Sequence, residues 1–204
     1  MKVVFVHILN LLFPPSEDEL ILQKTSPALF CKKYILRTCK GSIVLASFKD
    51  KEVRAAIHLN KFHKHETAGT LLAQLLEQYL IQLPQGPYIL IPIPLPKARE
   101  RKRGYNQVCN ILEKLHLPTD HFVVAPDILY RIKNTKPQTT LSKEARVKNL
   151  NGAFMVPKHK ADSLGNAQVL LIDDVTTTGT TLKEARKVLM EYHPKRVTCI
   201  ALCN

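Results

Sequence analysis

Short apolar runs alternate with stretches of helical periodicity from residue 41 onward. Strands are predicted at residues 42–48, 88–93, 169–172 and 197–202, where apolar side chains follow one another without helical spacing. The run at 169–172 consists of consecutive apolar residues, which is typical of a central parallel strand covered on both faces.

Helices are predicted between these runs. In residues 66–83 one face is apolar, at Leu71, Leu72, Leu75, Leu76, Tyr79 and Leu80. Residues 104–115 have the same spacing at Val108, Ile111, Leu112 and Leu115. A further helix, ending before Pro194, is indicated by Leu182, Ala185, Val188 and Leu189. This alternation of strands and helices predicts an α/β fold with a mainly parallel sheet.

Breaks near Pro14-Pro15 and near Lys40-Gly41 divide the chain into residues 1–40, a lead-in, and residues 41–204, one domain. Residues 1–13 are mostly apolar with one lysine, a pattern shared by signal peptides and by short helices packed on a domain. We favour the packed helix, because no small-residue cleavage site follows and the segment is too short to span a bilayer.

The net charge of +13, from 30 basic and 17 acidic residues, suggests a polyanionic partner. A phosphorylated metabolite, a nucleic acid and an acidic membrane surface all meet that description. Residues 97–103 carry five basic side chains against one acidic, and residues 131–148 carry six against one. Much of the excess charge therefore lies in two segments.

The five cysteines are scattered, odd in number and without CxxC pairs. A disulfide framework is not expected, and a reducing cytoplasm is the simplest location.

An acidic pair and a hydroxyl-rich turn follow the apolar run at 169–172. In open α/β sheets ligands bind beyond the carboxyl ends of strands, and the amides of a turn opening a helix can cradle a phosphate. The candidate phosphate-binding residues are Thr177, Thr178, Gly179, Thr180 and Thr181. Asp173 and Asp174 would repel a phosphate, so they should face neutral hydroxyls such as those of a ribose. The alternative is a helix N-cap without a ligand.

This segment resembles the phosphoribosyl pyrophosphate-binding signature of type I phosphoribosyltransferases nearly position for position. The resemblance implies that Asp173 and Asp174 hold the ribose hydroxyls and that residues 177–181 hold the 5-phosphate. It also implies the type I phosphoribosyltransferase fold, a mainly parallel twisted sheet with helices on both faces.

Two further segments narrow the resemblance. A strand leads into RGYNQ at residues 103–107, and KPQTTLSKEAR begins at residue 136 and continues to NLNGAF, which ends at residue 154. Taken with DDVTTTGTT, they resemble the ComF family of competence-associated proteins over residues 41–204. The segment FKDKEVRAAIHLNKF at 48–62 is similar to that family's opening strand and helix.

By this resemblance the basic segment after the second strand supplies a pyrophosphate loop and then a flexible loop over the ligand. The residues implied are Pro94, Leu95, Lys97, Arg99, Arg101, Arg103, Gly104, Tyr105, Asn106 and Gln107. Pro96 departs from the family pattern, in which histidine is more usual. Without the resemblance, the same segment is a basic surface loop.

The family's four-cysteine zinc finger is missing, although residues 11–15 resemble its lead-in. Only Cys31 and Cys39 remain in this part of the chain, too few for a four-thiolate site. His63 and His65 could complete a site, but two histidines flanking a lysine are more often surface residues. We expect no zinc.

Mg²⁺ is expected with phosphoribosyl pyrophosphate, held by ligand oxygens rather than by protein side chains. No motif that reads a nucleobase is visible, so the catalytic residues and the acceptor are unassigned.

The resemblance implies handling of single-stranded DNA in natural transformation, with partners in the membrane DNA-uptake machinery. The expected location is the cytoplasm, with a peripheral position at the inner face of the membrane as an alternative. A ComF-type binding protein is the preferred hypothesis. An active phosphoribosyltransferase and a phosphoribosyl pyrophosphate-sensing regulator are the alternatives.

Overall fold

The computed structural model describes residues 14–133 and 152–204. The strands in this part of the chain are β1 Arg37–Cys39, β2 Ser42–Ala46, β3 Tyr88–Pro92, β4 Phe122–Val124, β5 Tyr130–Arg131, β6 Phe154–Met155, β7 Gln168–Val175 and β8 Arg196–Cys203. The α-helices are α1 Glu17–Gln23, α2 Pro27–Cys31, α3 Lys51–His63, α4 Glu66–Leu80, α5 Lys97–Arg103, α6 Gln107–Leu112 and α7 Thr180–Met190, and a 3₁₀ helix covers Lys158–Leu164.

The main sheet has the order β1-β2-β8-β7-β3-β4 in the described residues. All of its strand pairs are parallel except β1–β2, which is an antiparallel hairpin. The short strands β5 and β6 form a separate antiparallel pair. The predicted α/β fold with a mainly parallel sheet is confirmed.

Successive side chains of the central strands point to opposite faces of the sheet, and each face has its own core. On one face Leu170 and Ile172 of β7 belong to a cluster with α3, α4 and α6. On the other face Val169 and Leu171 pack with α7 and with Phe154 of β6. Both faces are therefore covered by helices, which explains the unbroken apolar run in β7.

The lead-in also packs on this body. Helix α1 lies against α3, where Asp18 Oδ2 is 3.3 Å from His58 Nδ1, and Phe30 of α2 is fully buried. The predicted boundary after residue 40 falls in the turn between β1 and β2, two strands of one sheet. The short helix predicted within residues 1–13 lies outside the described residues.

The basic segment 97–103, predicted as a loop, is helical, and that prediction is wrong. Its residues have high helix propensity, Pro96 precedes the first turn, and Gly104 ends the helix at a φ of 83°. The next helix, predicted from 104, therefore starts only at Gln107.

Candidate functional site

The predicted phosphate turn lies at the carboxyl end of β7, the strand between β3 and β8. The strand ends at Val175 and α7 begins at Thr180, with Gly179 in the left-handed region at a φ of 74°. Gly179 supplies no side-chain cap, so the amides that open α7 have no side-chain acceptor from the N-cap residue. The turn therefore presents backbone donors at the positive end of a helix.

The hydroxyls of the turn lie at different depths. Thr176 and Thr180 are buried, Thr177 is exposed, and the Oγ1 atoms of Thr178 and Thr180 are 2.9 Å apart. The structure thus brings together residues 177–181, which were predicted to bind phosphate.

The acidic pair lies directly before this turn and is buried, with 9% of Asp173 and 6% of Asp174 exposed. Asp173 Oδ1 accepts from the amide of Asp174 at 2.9 Å, and Asp174 Oδ1 accepts from the amide of Val175 at 2.9 Å. The other oxygen of Asp174, Oδ2, is buried without a hydrogen-bond partner. An orphaned buried carboxylate oxygen is costly, and it is available to a ligand hydroxyl.

The Asp174 carboxyl affects the ionisation of Asp173. Burial and the adjacent Asp174 carboxyl raise the pKa of Asp173 well above its usual range. Two negative charges in contact are therefore disfavoured here, and the site favours a proton on Asp173.

Cations from three separate elements act on this pair. Lys61 of α3 and Arg131 of β5 interact electrostatically with Asp173, and Arg103 of α5 interacts with Asp174. Residues distant in the sequence thus converge at the carboxyl end of β7.

Arg131 is buried against an aromatic ring. Its guanidinium lies over the ring of Phe154, 5.5 Å from the centroid, and 8% of the residue is exposed. Burial and the nearby Arg99 lower the pKa of Arg131 to about 10, so the side chain still carries its charge at neutral pH. Sequence reasoning placed Arg131 in a basic stretch but did not assign it to the site. The remainder of that stretch, residues 134–148, lies outside the described residues.

The segment predicted to cover the ligand divides into two parts. Lys97 and Arg101 are exposed, Pro94 and Arg99 are half-buried, and Leu95 is buried. Arg103 donates to the Gln107 side chain. Of the cations of α5, Arg99 interacts with Arg131 and Arg103 with Asp174, so these two lie near the buried acidic pair.

The other part, Tyr105 to Gln107, anchors the segment to the scaffold. The Tyr105 hydroxyl donates to the carbonyl of Asn60 at 2.7 Å, and Asn106 Nδ2 donates to the carbonyl of Ile93 at 2.9 Å. Asn106 Oδ1 also caps α6 by accepting from the amide of Val108 at 2.8 Å. These contacts attach Tyr105 and Asn106 to α3, the end of β3 and α6.

The carbonyl of Gln107 accepts from Asn60 Nδ2 at 3.0 Å, and Gln107 is buried. Gln107 is therefore also attached to the scaffold, in the first turn of α6. Gly104, the remaining residue of the predicted loop, ends α5 in the left-handed conformation.

Within residues 14–133 and 152–204, no group of three or more His, Cys, Asp or Glu side chains could hold a metal ion. His65 Nδ1 accepts from the amide of Ala68 at 3.4 Å, which caps α4. In the same residues no helix is long and apolar enough to cross a membrane.

A comparison with protein families matches residues 114–204 to the phosphoribosyl transferase domain. Competence protein F of Haemophilus influenzae is 38% identical over 50% of this chain and 44% of that protein. Competence protein ComFC of Bacillus subtilis is 34% identical over 53% of this chain and 40% of that protein.

DNA utilization protein YhgH of Escherichia coli (strain K12) is 28% identical over 72% of this chain and 65% of its own length. The chain thus spans less than half of the two competence proteins and about two thirds of YhgH. The resemblance to the ComF family, first seen in three sequence motifs, is confirmed. The chain has the type I phosphoribosyltransferase fold and is similar to the ComF competence proteins over about half of its length.

Proposed function

We propose that this protein binds phosphoribosyl pyrophosphate, or a related ribose 5-phosphate, at the turn that follows β7. The observation that carries the proposal is the buried, unpartnered Oδ2 of Asp174 beside an uncapped helix N-terminus. The carboxylate oxygen can accept a hydrogen bond from a hydroxyl, and the helix N-terminus attracts a phosphate. A ribose 5-phosphate presents both groups on one small molecule.

The raised pKa of Asp173 supports the same assignment. A protonated carboxyl next to an ionised one can donate one hydrogen bond while its neighbour accepts others, which suits a vicinal diol. A phosphate placed at the acidic pair would be repelled by the buried negative charge. The phosphate of the ligand is therefore expected beyond the pair, at residues 177–181.

Mg²⁺ fits this site as a companion of the ligand. The described residues lack a protein cage, and Mg²⁺ commonly keeps its waters and binds substrate phosphates with one or two carboxylates. Oxygen atoms of the ligand, together with water, would hold it, and it would neutralise charge on the pyrophosphate.

The first prediction is that phosphoribosyl pyrophosphate with Mg²⁺ raises the Tm. At a ligand concentration of about one hundred times Kd, native-state binding contributes about 2.7 kcal/mol, or roughly 5–10 °C for a chain of this size. Replacing both carboxyls, Asp173→Asn with Asp174→Asn, should abolish this shift in differential scanning fluorimetry. The circular dichroism spectrum should stay unchanged.

A matched control is Glu113→Gln with Glu191→Gln, which removes two exposed carboxylates. It should keep the full shift. A normal shift in the Asp173/Asp174 variant would remove the ribose assignment.

An active phosphoribosyltransferase with an unknown acceptor is one alternative, and a sensor of phosphoribosyl pyrophosphate is another. Release of pyrophosphate in the presence of candidate acceptors would establish transfer. Binding without release would leave the binding and sensing functions.

We propose single-stranded DNA as a second ligand, on the surface around Phe62. This side chain is 62% exposed at the end of α3. Lys61 Nζ is 5.6 Å and Arg103 Cζ is 5.8 Å from the centroid of its ring. An exposed aromatic ring beside two cations suits an unpaired base and its phosphates. The name of one relative, DNA utilization protein YhgH, supports DNA as the polymer.

The second prediction concerns this surface. Phe62→Ala should weaken binding of a fluorescent oligothymidylate about tenfold in anisotropy titrations, because base stacking on an aromatic ring is lost. Ile81→Ala is the control, since Ile81 is 71% exposed but lies outside this surface. Equal affinities of the Phe62 variant and the wild type would exclude stacking there. Absence of wild-type binding at low salt would contradict the DNA-handling function.

A further inference from the structure

The tip of the β1–β2 hairpin is an uncommon turn. Cys39 pairs with Ser42, so Lys40 and Gly41 form a two-residue loop, with φ of 51° and 78°. Such loops require positive φ at both central residues, and Asn-Gly is the usual sequence. A lysine in the left-handed region is uncommon, because its Cβ approaches the following carbonyl oxygen.

This tip lies directly on the phosphate turn. The ammonium of Lys40 donates to the carbonyl of Thr177. A Cβ added to Gly179 would lie 3.2 Å from Lys40 Cβ and 3.3 Å from the Lys40 carbonyl oxygen. Gly179 is therefore needed both for its positive φ and for the close approach of the hairpin.

Lys40 and the other cations of the site act at different points. Lys61, Arg103 and Arg131 interact with the buried carboxyls, whereas the Lys40 ammonium reaches the turn itself. The 5-phosphate of a ribose carries up to two negative charges, and the hydroxyls of residues 177–181 are neutral. An adjacent ammonium would provide a charge-assisted contact there.

We propose that Lys40 binds the phosphate monoester at the turn between β7 and α7. This inference rests on the proposed ribose 5-phosphate site, which the unpartnered Asp174 oxygen supports independently. Residues 1–40 then supply part of the ligand site. The alternative is that the Lys40 ammonium only stabilises the turn through the Thr177 carbonyl.

The third prediction separates these two roles with Lys40→Asn. Asparagine tolerates the left-handed conformation, so the hairpin is retained and the Tm should stay equal or rise by about 1–3 °C. Affinity for ribose 5-phosphate, measured by isothermal titration calorimetry, should nevertheless fall about tenfold or more. Lys40→Arg keeps the charge and should retain most of the affinity.

The matched control is Lys64→Asn. Lys64 is also left-handed, with a φ of 49°, but it ends α3 and its amide donates to the Tyr105 hydroxyl. This variant should keep the wild-type affinity.

Wild-type affinity in Lys40→Asn would overturn the role of Lys40 and leave the site itself standing. An equal loss in Lys40→Asn and Lys40→Arg would show a purely structural role and overturn it as well. If the wild-type protein binds neither ribose 5-phosphate nor phosphoribosyl pyrophosphate, the proposed site fails, and the inference fails with it.

Discussion

The two carboxyls at the end of β7 have different environments although they are adjacent in the sequence. Asp173 and Asp174 each accept one backbone amide, but only Asp174 keeps a buried oxygen without a partner. Burial and the Asp174 carboxyl raise the pKa of Asp173 in the folded protein. Between the unfolded and the folded pKa, the folded protein therefore keeps a proton on Asp173 that the unfolded chain has released. The folded state therefore loses stability as the pH rises from the unfolded pKa, about 4, towards the folded pKa.

The fourth prediction follows from this loss of stability with rising pH. Asp173→Asn should increase the free energy of unfolding at pH 7 by roughly 1 kcal/mol, because the amide keeps an acceptor for the Asp174 N–H and carries no charge. At about pH 4 the variant and the wild type should differ little. Urea unfolding at several pH values measures the free energy of unfolding of the variant and of the wild type.

Asp127→Asn provides a contrast, since the Lys160 ammonium lowers the pKa of the exposed Asp127 carboxyl. Asp127→Asn should lower the free energy of unfolding slightly at pH 7, opposite to the increase expected for Asp173→Asn. A loss of stability in Asp173→Asn at pH 7 would mean that Lys61 and Arg131 stabilise an ionised Asp173.

Helix α5 presents its basic residues in two directions. Arg99 and Arg103 approach Arg131 and Asp174, as their electrostatic interactions indicate, whereas Arg101 and Lys102 are exposed. The sequence showed only that residues 97–103 are one of two segments with excess positive charge, which suggests a polyanionic partner. Arg101 and Lys102 are exposed to a long polymer, whereas Arg99 and Arg103 lie near the small-ligand site, where Arg103 also contacts the Phe62 ring.

The fifth prediction concerns that exposed pair. Arg101→Ala with Lys102→Ala should reduce the slope of log K against log salt for oligothymidylate by up to about 1.4, since each phosphate contact on a single strand contributes about 0.7. The Tm shift with phosphoribosyl pyrophosphate should be unchanged. Arg186→Ala with Lys187→Ala removes the same two residue types from an exposed position on α7 and serves as the control. Equal slopes for both variants would show that net charge, rather than α5, determines binding.

At the scale of the whole molecule, the sequence predicted the central strands and the acidic turn because both depend on local pattern. Val169 to Ile172 are consecutive apolar residues, and Asp173 to Thr181 are contiguous. Arg131 and Lys40 could not be placed in the same way, because only tertiary structure brings them near the end of β7. Asn106 was assigned to ligand binding from the motif, but its short side chain joins the end of β3 to the start of α6. That contact depends on tertiary structure, which periodicity does not report.

The position of β8 has a consequence for how the protein is made. This strand is translated after the other described strands, yet it lies between β2 and β7, and its Cys203 carbonyl accepts from the amide of Thr176 at 2.9 Å. While residues 196–203 are still inside the ribosome, β2 and β7 have no shared partner. The Lys40 hairpin and the turn after β7 therefore belong to two halves of an incomplete sheet. The ligand site can assemble only after β8 has emerged, so a nascent chain should acquire affinity for its ligand in one step, when β8 joins the two halves.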